Sequence, residues 1–342
     1  MTAHPLSGHE AEVATTGDMM RALVRTRAGA ALVRRARPTL PSVPGWARVR
    51  LRVAGLCRTD VYAARGELGC EPSTVLGHEA SGVLLELSPG SVPGDALRRA
   101  LADGTLVAFH PFVGCARCEA CGAGRPHHCP HAQMLGVGRD GVFTEEVVLP
   151  LSACVPLPGV TDARRAAFLE PYAAALGVAC MGLPRDARVL IMGSGRVATL
   201  TEHVLRSEGY AHVVLAERPP SGESFDVGVE TRAEAERLDL LARAVCPFGT
   251  LVLKSRPATR VPASFGLWAQ RDLCVRGVSY APFALAAERL ADARLDLSPW
   301  MGALHSFEDF CALLAGDPVE VGDVSDHVPK PMLACAGAAC AA

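Results

Sequence analysis

Lysine is nearly absent from this sequence, and so is any marked excess of charge of one sign. Of its 34 basic residues only Lys254 and Lys330 are lysines, a bias that we attribute to genome composition. Acidic residues number 36, which leaves a formal net charge of −2. Domains that bind nucleic acids carry a basic surface. The charge balance therefore argues against a nucleic acid as the partner.

A secretory signal and a membrane-spanning run are missing as well. Residues 1–18 contain no basic start followed by an apolar core. Glu170 and Pro171 interrupt the apolar stretch Ala166–Pro184, and the apolar end Met332–Ala342 is shorter than a bilayer requires. The 13 cysteines are an odd number, so they cannot all pair with one another. We expect a cytoplasmic protein without a membrane partner, whose grouped cysteines bind metal rather than form disulfides.

Composition and hydropathy patterning indicate two folded domains. Hydrophobic residues make up 49% of the 342 residues and charged residues 20%, enough for a sizeable core. Up to about residue 155, short alternating segments separated by Gly and Pro predict an antiparallel β-domain with long loops. After Pro158, strands alternate with helices, a pattern typical of a doubly wound parallel sheet. The predicted fold class is therefore α/β, with a separate antiparallel β-domain.

Four closely spaced cysteines form the clearest motif. They are Cys115, Cys118 and Cys121, followed by Cys129, and neighbouring glycines suit a chain that wraps round an ion. Four thiolates satisfy tetrahedral zinc with no open position, which is the structural type of zinc site. Disulfides are the alternative, and they would require an oxidising compartment. We predict a structural zinc that holds this loop together.

A second, dispersed group has the composition of a catalytic metal site. Its members are Cys57, His78, Glu79 and Glu170. One Cys, one His and one or two carboxylates supply three ligands and leave a position for water or substrate. Each residue alone is more typical of a core or of a solvated surface. Their order, together with the four-cysteine motif, favours a catalytic zinc.

Several ordered motifs resemble those of the zinc-dependent medium-chain alcohol and polyol dehydrogenases, sorbitol and threonine dehydrogenases in particular. The resemblance extends from about Met20 to Leu314 and is carried by AGLCRTDVY, VLGHEASG, CARCEACGAGRPHHC, GVGRDGVFTEEVVLP, FLEPYAAAL and VLIMGSGRVA. It implies a GroES-like antiparallel β-domain that holds both zinc ions and a Rossmann domain that binds NAD(H).

The resemblance also implies roles for the dispersed group. Cys57 and His78 match catalytic zinc ligands, and Glu79 matches a carboxylate that ligates the zinc or stands just behind it. Glu170 matches a further ligand or near-ligand of the polyol-type members. Asp60 matches the carboxylate that orients the ligating histidine.

The proton relay of the family is matched only in part. Thr59 matches the hydroxyl that begins the relay, but many relatives carry histidine where this chain has Tyr62. A phenol with a pKa near ~10 exchanges protons poorly at neutral pH. We expect another exit for the proton or a slower reaction.

A glycine-rich turn marks the predicted cofactor site. Gly193-Ser194-Gly195-Arg196-Val197-Ala198 lies between a predicted strand and a predicted helix, where glycines let the helix N-terminus approach a pyrophosphate. Glu217 ends the next strand and would bind a ribose hydroxyl, which favours NAD(H) over NADP(H), although Arg218 beside it weakens that preference. The predicted cofactor contacts are Gly193, Gly195, Arg196, Val197 and Glu217.

The second half departs from the family at one place. Only eight steps separate Glu217 from Phe225, whereas a parallel crossover takes at least about 10–12 residues. The family's helix, third strand and second helix are therefore missing here. In the strand order 3-2-1-4-5-6 the third strand lies at the edge, so its loss spares the core. We expect a shortened sheet and weakened or lost NAD binding.

These features together predict how the chain is divided into domains and which reaction it catalyses. The segments are a flexible tail at 1–18, the GroES-like domain at 19–158 completed by about 296–330, the shortened Rossmann domain at 159–295 and a flexible tail at 331–342. The resemblance implies two zinc ions, hydride transfer between NAD(H) and a secondary alcohol, polyol or amino-alcohol or the matching ketone, and a homodimer or homotetramer. The alternative is a zinc-bearing homologue that has lost hydride transfer, either a non-redox biosynthetic enzyme or a pseudoenzyme that serves as a binding subunit.

Overall fold

A computed structural model describes residues 19–257, 260–315 and 329–335. Two main sheets are present, one antiparallel for most of its width and one wholly parallel. The antiparallel sheet draws on both ends of the chain, and the parallel sheet on residues 188–277. This agrees with the predicted α/β fold class. The predicted tail at 1–18 lies outside the described residues.

The first half of the chain builds most of the β-domain. Buried and less buried positions alternate along the third strand, where Ala47, Val49 and Leu51 point into the core and are fully buried. The strands are β1 (Met19–Thr26), β2 (Gly29–Ala36), β3 (Trp46–Gly55), β4 (Ala80–Leu87), β5 (Val107–Phe109), β6 (Phe112–Val113), β7 (Gln133–Met134), β8 (Glu146–Pro150) and β9 (Cys154–Pro156). The helices between them are α1 (Arg58–Ala64), α2 (Asp95–Asp103) and α3 (Glu119–Gly122).

The parallel sheet lies in the second half, with helices packed against it. Its strands are β10 (Arg188–Met192), β11 (His212–Ala216), β12 (Phe225–Glu230), β13 (Val245–Leu253) and β14 (Cys274–Gly277). The helices are α4 (Ala163–Ala167), α5 (Leu169–Ala179), α6 (Arg196–Ser207), α7 (Ala235–Ala244), α8 (Phe265–Gln270) and α9 (Phe283–Leu290). Val189, Leu190 and Ile191 of β10 are fully buried, because a central parallel strand is covered on both faces.

The parallel sheet is shortened as the sequence predicts. Its five strands pair in the order β11-β10-β12-β13-β14, and residues 217–224 alone connect β11 to β12. This is the doubly wound order without its outermost third strand, so β11 becomes an edge. β10, which precedes the predicted cofactor turn, remains an interior strand between β11 and β12.

Residues 163–179 form two helices in succession. The break falls at Phe168, which ends α4 and precedes α5. Pro171 follows in the first turn of α5, where a residue without an N–H costs no intrahelical hydrogen bond. The start of α5 at this point places Glu170 in its first turn, 8% exposed.

The C-terminal part of the chain returns to the β-domain. It contributes β15 (Met301–His305), α10 (Phe307–Ala315) and β16 (Lys330–Ala334). The large sheet runs in the order β15-β16-β3-β4-β5-β9, and β8 pairs with β3 as well.

The predicted flexible tail at 331–342 is wrong for residues 331–334. Met332 and Leu333 pair with Gly55 and Ala54 of β3 and are fully buried. Apolar side chains at a central sheet position favour the strand over a solvated tail. Residues 336–342 lie outside the described part of the chain.

Candidate functional site

The four cysteines of the first motif converge in one lobe. The sulfur atoms of Cys115, Cys118, Cys121 and Cys129 all lie within 4.8 Å of one another. The backbone N–H of Cys115 donates to the Cys129 sulfur at 3.4 Å. A hydrogen bond from the backbone N–H of Arg117 lowers the pKa of the Cys115 thiol to about 6, which favours its thiolate. The set fits a tetrahedral zinc ion with no open position.

Gly114, which precedes the first cysteine, packs too closely against the lobe to carry a side chain. A Cβ on Gly114 would lie 2.5 Å from the Cys121 sulfur, so glycine is required there. None of the described cysteines forms a disulfide. The disulfide alternative thus finds no support in this part of the chain.

Replacement of Cys118 by serine tests the structural role of the lobe. Loss of one ligand is expected to remove one zinc ion per chain and to lower Tm by about 5–10 °C, at ~2–4 °C per kcal/mol. Metal analysis and a thermal scan measure the two effects. The matched control is Cys180→Ser, because Cys180 is exposed and belongs to neither of the two groups of candidate metal ligands. Unchanged zinc content in Cys118→Ser would contradict the assignment.

The dispersed group also converges. Ligand atoms of Cys57, His78 and Glu79 lie within 4.8 Å of one another. Cys57 follows β3 as the N-cap of α1, while His78 and Glu79 immediately precede β4, the strand that pairs with β3. Adjacent strand ends therefore bring together residues that are distant in sequence. His78 and Glu79 are 1% and 2% exposed, so the group lies in the interior.

Asp60 fixes the orientation of the histidine. One carboxylate oxygen lies 2.8 Å from Nδ1 of His78, and the other accepts the backbone N–H of Cys57 at 2.8 Å. Burial lowers the pKa of His78, but the charges of Asp60 and Cys57 outweigh it and leave the pKa well above its ordinary value. The site is thus a negative environment that attracts a cation. With Nδ1–H donated to Asp60, Nε2 of His78 is the atom available to a metal.

Glu79 forms a buried ion pair with Lys330 of β16. The Lys330 ammonium donates to Oε2 of Glu79, and the two side chains are 3% and 2% exposed. Burial and the charge of Glu170 raise the pKa of Glu79, while Lys330 opposes the shift. A Cβ on Gly55 would lie 2.8 Å from the Lys330 side chain and 2.9 Å from Glu79, so glycine at this position makes the pair possible.

Glu170 lies beside the group of three rather than within it. Its Oε1 accepts a hydrogen bond from the Tyr280 hydroxyl at 2.7 Å. Its charge nevertheless acts on Glu79, as the pKa of the latter shows. The role of Glu170 as a zinc ligand stays a prediction.

Thr59 and Tyr62 both lie half-buried on α1, close in sequence to Cys57. Their position is compatible with the predicted relay. Its route stays a prediction, because no hydrogen-bond chain from Thr59 is among the contacts observed for the described residues.

The glycine turn joins β10 to α6 as predicted. Gly193 has φ of 144°, and a Cβ there would lie 2.4 Å from the Thr231 hydroxyl. Gly195 is the N-cap of α6 and Arg196 its first residue. The Arg196 guanidinium is buried and donates to the carbonyl of Leu56 at 3.3 Å. Arg196 therefore links the predicted cofactor turn to the residue next to Cys57.

The two other predicted cofactor residues are more accessible. Val197 is 48% exposed, and Glu217 follows the end of β11. A hydrogen bond from Ser194 and another from Arg237, at 2.8 Å, lower the pKa of Glu217. Glu217 is therefore an anion next to the turn, although part of its hydrogen-bonding capacity is already used.

Sequence reasoning missed Lys330 and Tyr280. Both act across long sequence separations, 251 residues for Lys330–Glu79 and 110 for Tyr280–Glu170. One signal was available: Lys330 and Lys254 are the only lysines of the chain, and both stand in apolar segments. In the structure both are buried.

Residues 43–159, which contain both metal groups except Glu170, match the family model of the alcohol dehydrogenase GroES-like domain. These residues therefore form an alcohol dehydrogenase GroES-like domain. L-galactonate-5-dehydrogenase from Escherichia coli is 31% identical to it over 198 residues, which are 56% of this chain and 54% of the relative. The chain thus aligns with about half the length of this relative.

Solved structures support the fold over nearly the whole chain. A zinc-binding dehydrogenase from Sinorhizobium meliloti 1021, bound to NADP, superposes with a TM-score of 0.78 at 23% identity, over 92% of this chain and 99% of that one. A short chain alcohol dehydrogenase from Escherichia coli CFT073, complexed with NADH, gives 0.77 at 20% identity over 93% and 100%. At these identities the similarity establishes the fold alone.

Within residues 19–257, 260–315 and 329–335, no helix combines the length and apolarity needed to span a membrane.

Proposed function

We propose that the chain is a zinc-dependent oxidoreductase that transfers hydride between NAD(H) and a secondary alcohol, polyol or amino-alcohol, in either direction. The observation that carries this proposal is the convergence of Cys57, His78 and Glu79, with His78 oriented by Asp60. A thiol, an imidazole with a free Nε2 and a carboxylate are zinc ligands that leave a position open.

The residues of the site divide the chemistry among them. When bound, zinc supplies Lewis-acid polarisation of the substrate oxygen, and the nicotinamide ring accepts or donates the hydride. Asp60 keeps His78 in the tautomer that presents Nε2. The positive charge of Lys330 compensates the negative charge of Glu79. Thr59, two residues after Cys57 on α1, would relay the hydroxyl proton of the substrate.

The second domain supplies the cofactor turn. Gly193 permits close backbone approach, and the N-terminus of α6 offers unpaired N–H groups to a pyrophosphate. Relatives in complex with NADP and with NADH support a nicotinamide cofactor. We favour NAD(H), because the anionic Glu217 would repel a 2′-phosphate.

Nicotinamide binding is the direct test of this function. NADH is expected to bind the zinc-loaded chain with Kd between about 1 µM and 1 mM, measured by NADH fluorescence, and more tightly than NADPH. Gly193→Ala is expected to weaken binding at least about tenfold, because its Cβ would clash with Thr231 at 2.4 Å. No binding at millimolar NADH would favour the zinc-bearing homologue without hydride transfer instead.

We also propose that the chain forms a homodimer or homotetramer. β14 is an edge strand, and all four of its residues are exposed. A second copy pairing along this edge would satisfy its free N–H and C=O groups. Light scattering coupled to size-exclusion chromatography measures the mass of the assembly, and a monomer at micromolar concentration would contradict the proposal.

A further inference from the structure

The Tyr280 hydroxyl and the Glu170 carboxylate meet beside the metal group. As described above, the hydroxyl donates a hydrogen bond of 2.7 Å to Oε1 of Glu170. The phenol is the donor, because an ionised carboxylate has no proton to give and a phenol with a pKa of about 10 keeps its proton at neutral pH. One oxygen atom of Glu170 therefore has a partner that is not a metal ion.

The segment that carries Tyr280 is fixed against α5, the helix that carries Glu170. The backbone N–H of Ala281 donates to the carbonyl of Ala173 in α5 at 2.9 Å. A Cβ on Gly177 of the same helix would lie 3.2 Å from the backbone carbonyl carbon of Tyr280, so glycine permits a close approach. These contacts hold the backbone of Tyr280 at a set distance from the helix of Glu170.

Further contacts restrain the same segment and the tyrosine ring. The Lys254 ammonium donates to the carbonyl of Ser279, the residue before Tyr280, at 3.0 Å. The His127 ring lies 5.4 Å from the Tyr280 ring, between centroids, and Cζ of Arg256 lies 5.4 Å from the same centroid. The hydroxyl therefore has a defined position, and its hydrogen bond fixes the Glu170 side chain.

Glu170 lies close to the metal group without belonging to it. Burial raises the pKa of Glu79, and the charge of Glu170 raises it further, so the two carboxylates interact. The oxygens of Glu170 are nevertheless not among the ligand atoms of Cys57, His78 and Glu79, which all lie within 4.8 Å of one another. Two carboxylates repel each other, whereas a divalent cation in the group would attract both. A contact that retains Glu170 is needed if the ion is to have three protein ligands.

We propose that Tyr280 is a positioning residue that retains Glu170 outside the ligand set and so keeps one metal position open for the substrate. This inference rests on the proposed function, which requires an open position. The Cys57 thiolate and the Glu79 carboxylate already balance the two charges of a zinc ion. A second carboxylate ligand would make the site anionic and weaken its Lewis acidity towards the substrate oxygen.

Cobalt in place of the zinc of the Cys57 group tests the inference, because its visible absorption reports the ligand geometry. Zinc stays in the four-cysteine lobe, and metal analysis verifies the loading. Imidazole, a small neutral metal ligand, is titrated against the cobalt absorption of the full chain without nicotinamide. Tyr280→Phe is expected to change the spectrum and to weaken imidazole binding about 10–100-fold, the scale of changes next to metal ligands. The reason is that the released Glu170 takes the open position.

Two further variants separate this effect from damage to the fold. Tyr280→Phe combined with Glu170→Gln is expected to restore imidazole binding to within about threefold of the wild type, because a neutral amide competes poorly for the ion. Tyr210→Phe is the matched control, because the Tyr210 hydroxyl also donates to a protein oxygen, the carbonyl of Leu183 at 3.3 Å, and belongs to neither metal group. Thermal scans establish that each variant is folded.

The outcomes are distinguishable from those of the proposed function, because the titration contains no nicotinamide. The expected imidazole pattern together with an absence of NADH binding would uphold this inference and reject hydride transfer. Unchanged imidazole binding in Tyr280→Phe would overturn the inference, and so would a loss that Glu170→Gln does not reverse.

Discussion

Replacement of Lys330 by methionine is expected to lower the free energy of unfolding by about 3–5 kcal/mol. The reason is that Glu79 would lose the buried ammonium that compensates its charge, since both side chains are almost inaccessible to solvent. Urea denaturation of the zinc-loaded chain measures the effect.

A second substitution provides the control for Lys330. The double variant Lys330→Met with Glu79→Gln removes both charges and is expected to recover about half of the lost stability or more. Equal stabilities of the wild type and Lys330→Met would show that the pair contributes nothing.

Replacement of Cys57 by serine is expected to reduce kcat/KM at least about 1,000-fold, the scale of removing stabilisation of developing charge. Zinc content should fall by one ion per chain, with the ion of the four-cysteine lobe retained. Metal analysis and hydride-transfer assays at saturating NAD⁺ measure the two effects.

Two further variants serve as comparisons for Cys57→Ser. Asp60→Asn should cost only about 10–100-fold, because it disturbs the orientation of His78 and removes no ligand. Cys180→Ser should leave both zinc content and activity unchanged. A Cys57→Ser variant with full zinc content and normal activity would exclude the catalytic assignment.

The parts of the site that depend on short sequence spacing could be predicted from the sequence. Three of the four cysteines lie within seven residues, so a shared ion needs only a tight loop. The shortened sheet followed from a chain-length argument, since residues 217–224 are too few for a helix and another strand. Cys57, His78 and Glu79 were recognised through motifs, and the strands β3 and β4 explain why they meet.

The contacts that depend on distant pairing could not be predicted. Nothing in the residues around Lys330 indicates that β16 enters the sheet between β15 and β3. An apolar segment near the C-terminus is equally compatible with a tail, and tertiary packing alone decides between them. The hydrogen bond from Tyr280 to Glu170 could not be predicted for the same reason, because it joins residues 110 positions apart in the sequence.

The central position of β16 constrains the order in which the two domains can fold during synthesis. Synthesis proceeds from the N-terminus, and domains generally fold as they emerge. Here the β-domain is the first to be synthesised. Its sheet nevertheless lacks the interior strand β16 until the last described residues have been made. While the parallel-sheet half is being synthesised, Glu79 has no lysine to pair with. The parallel-sheet domain can therefore complete its core before the metal-binding domain that precedes it in the chain.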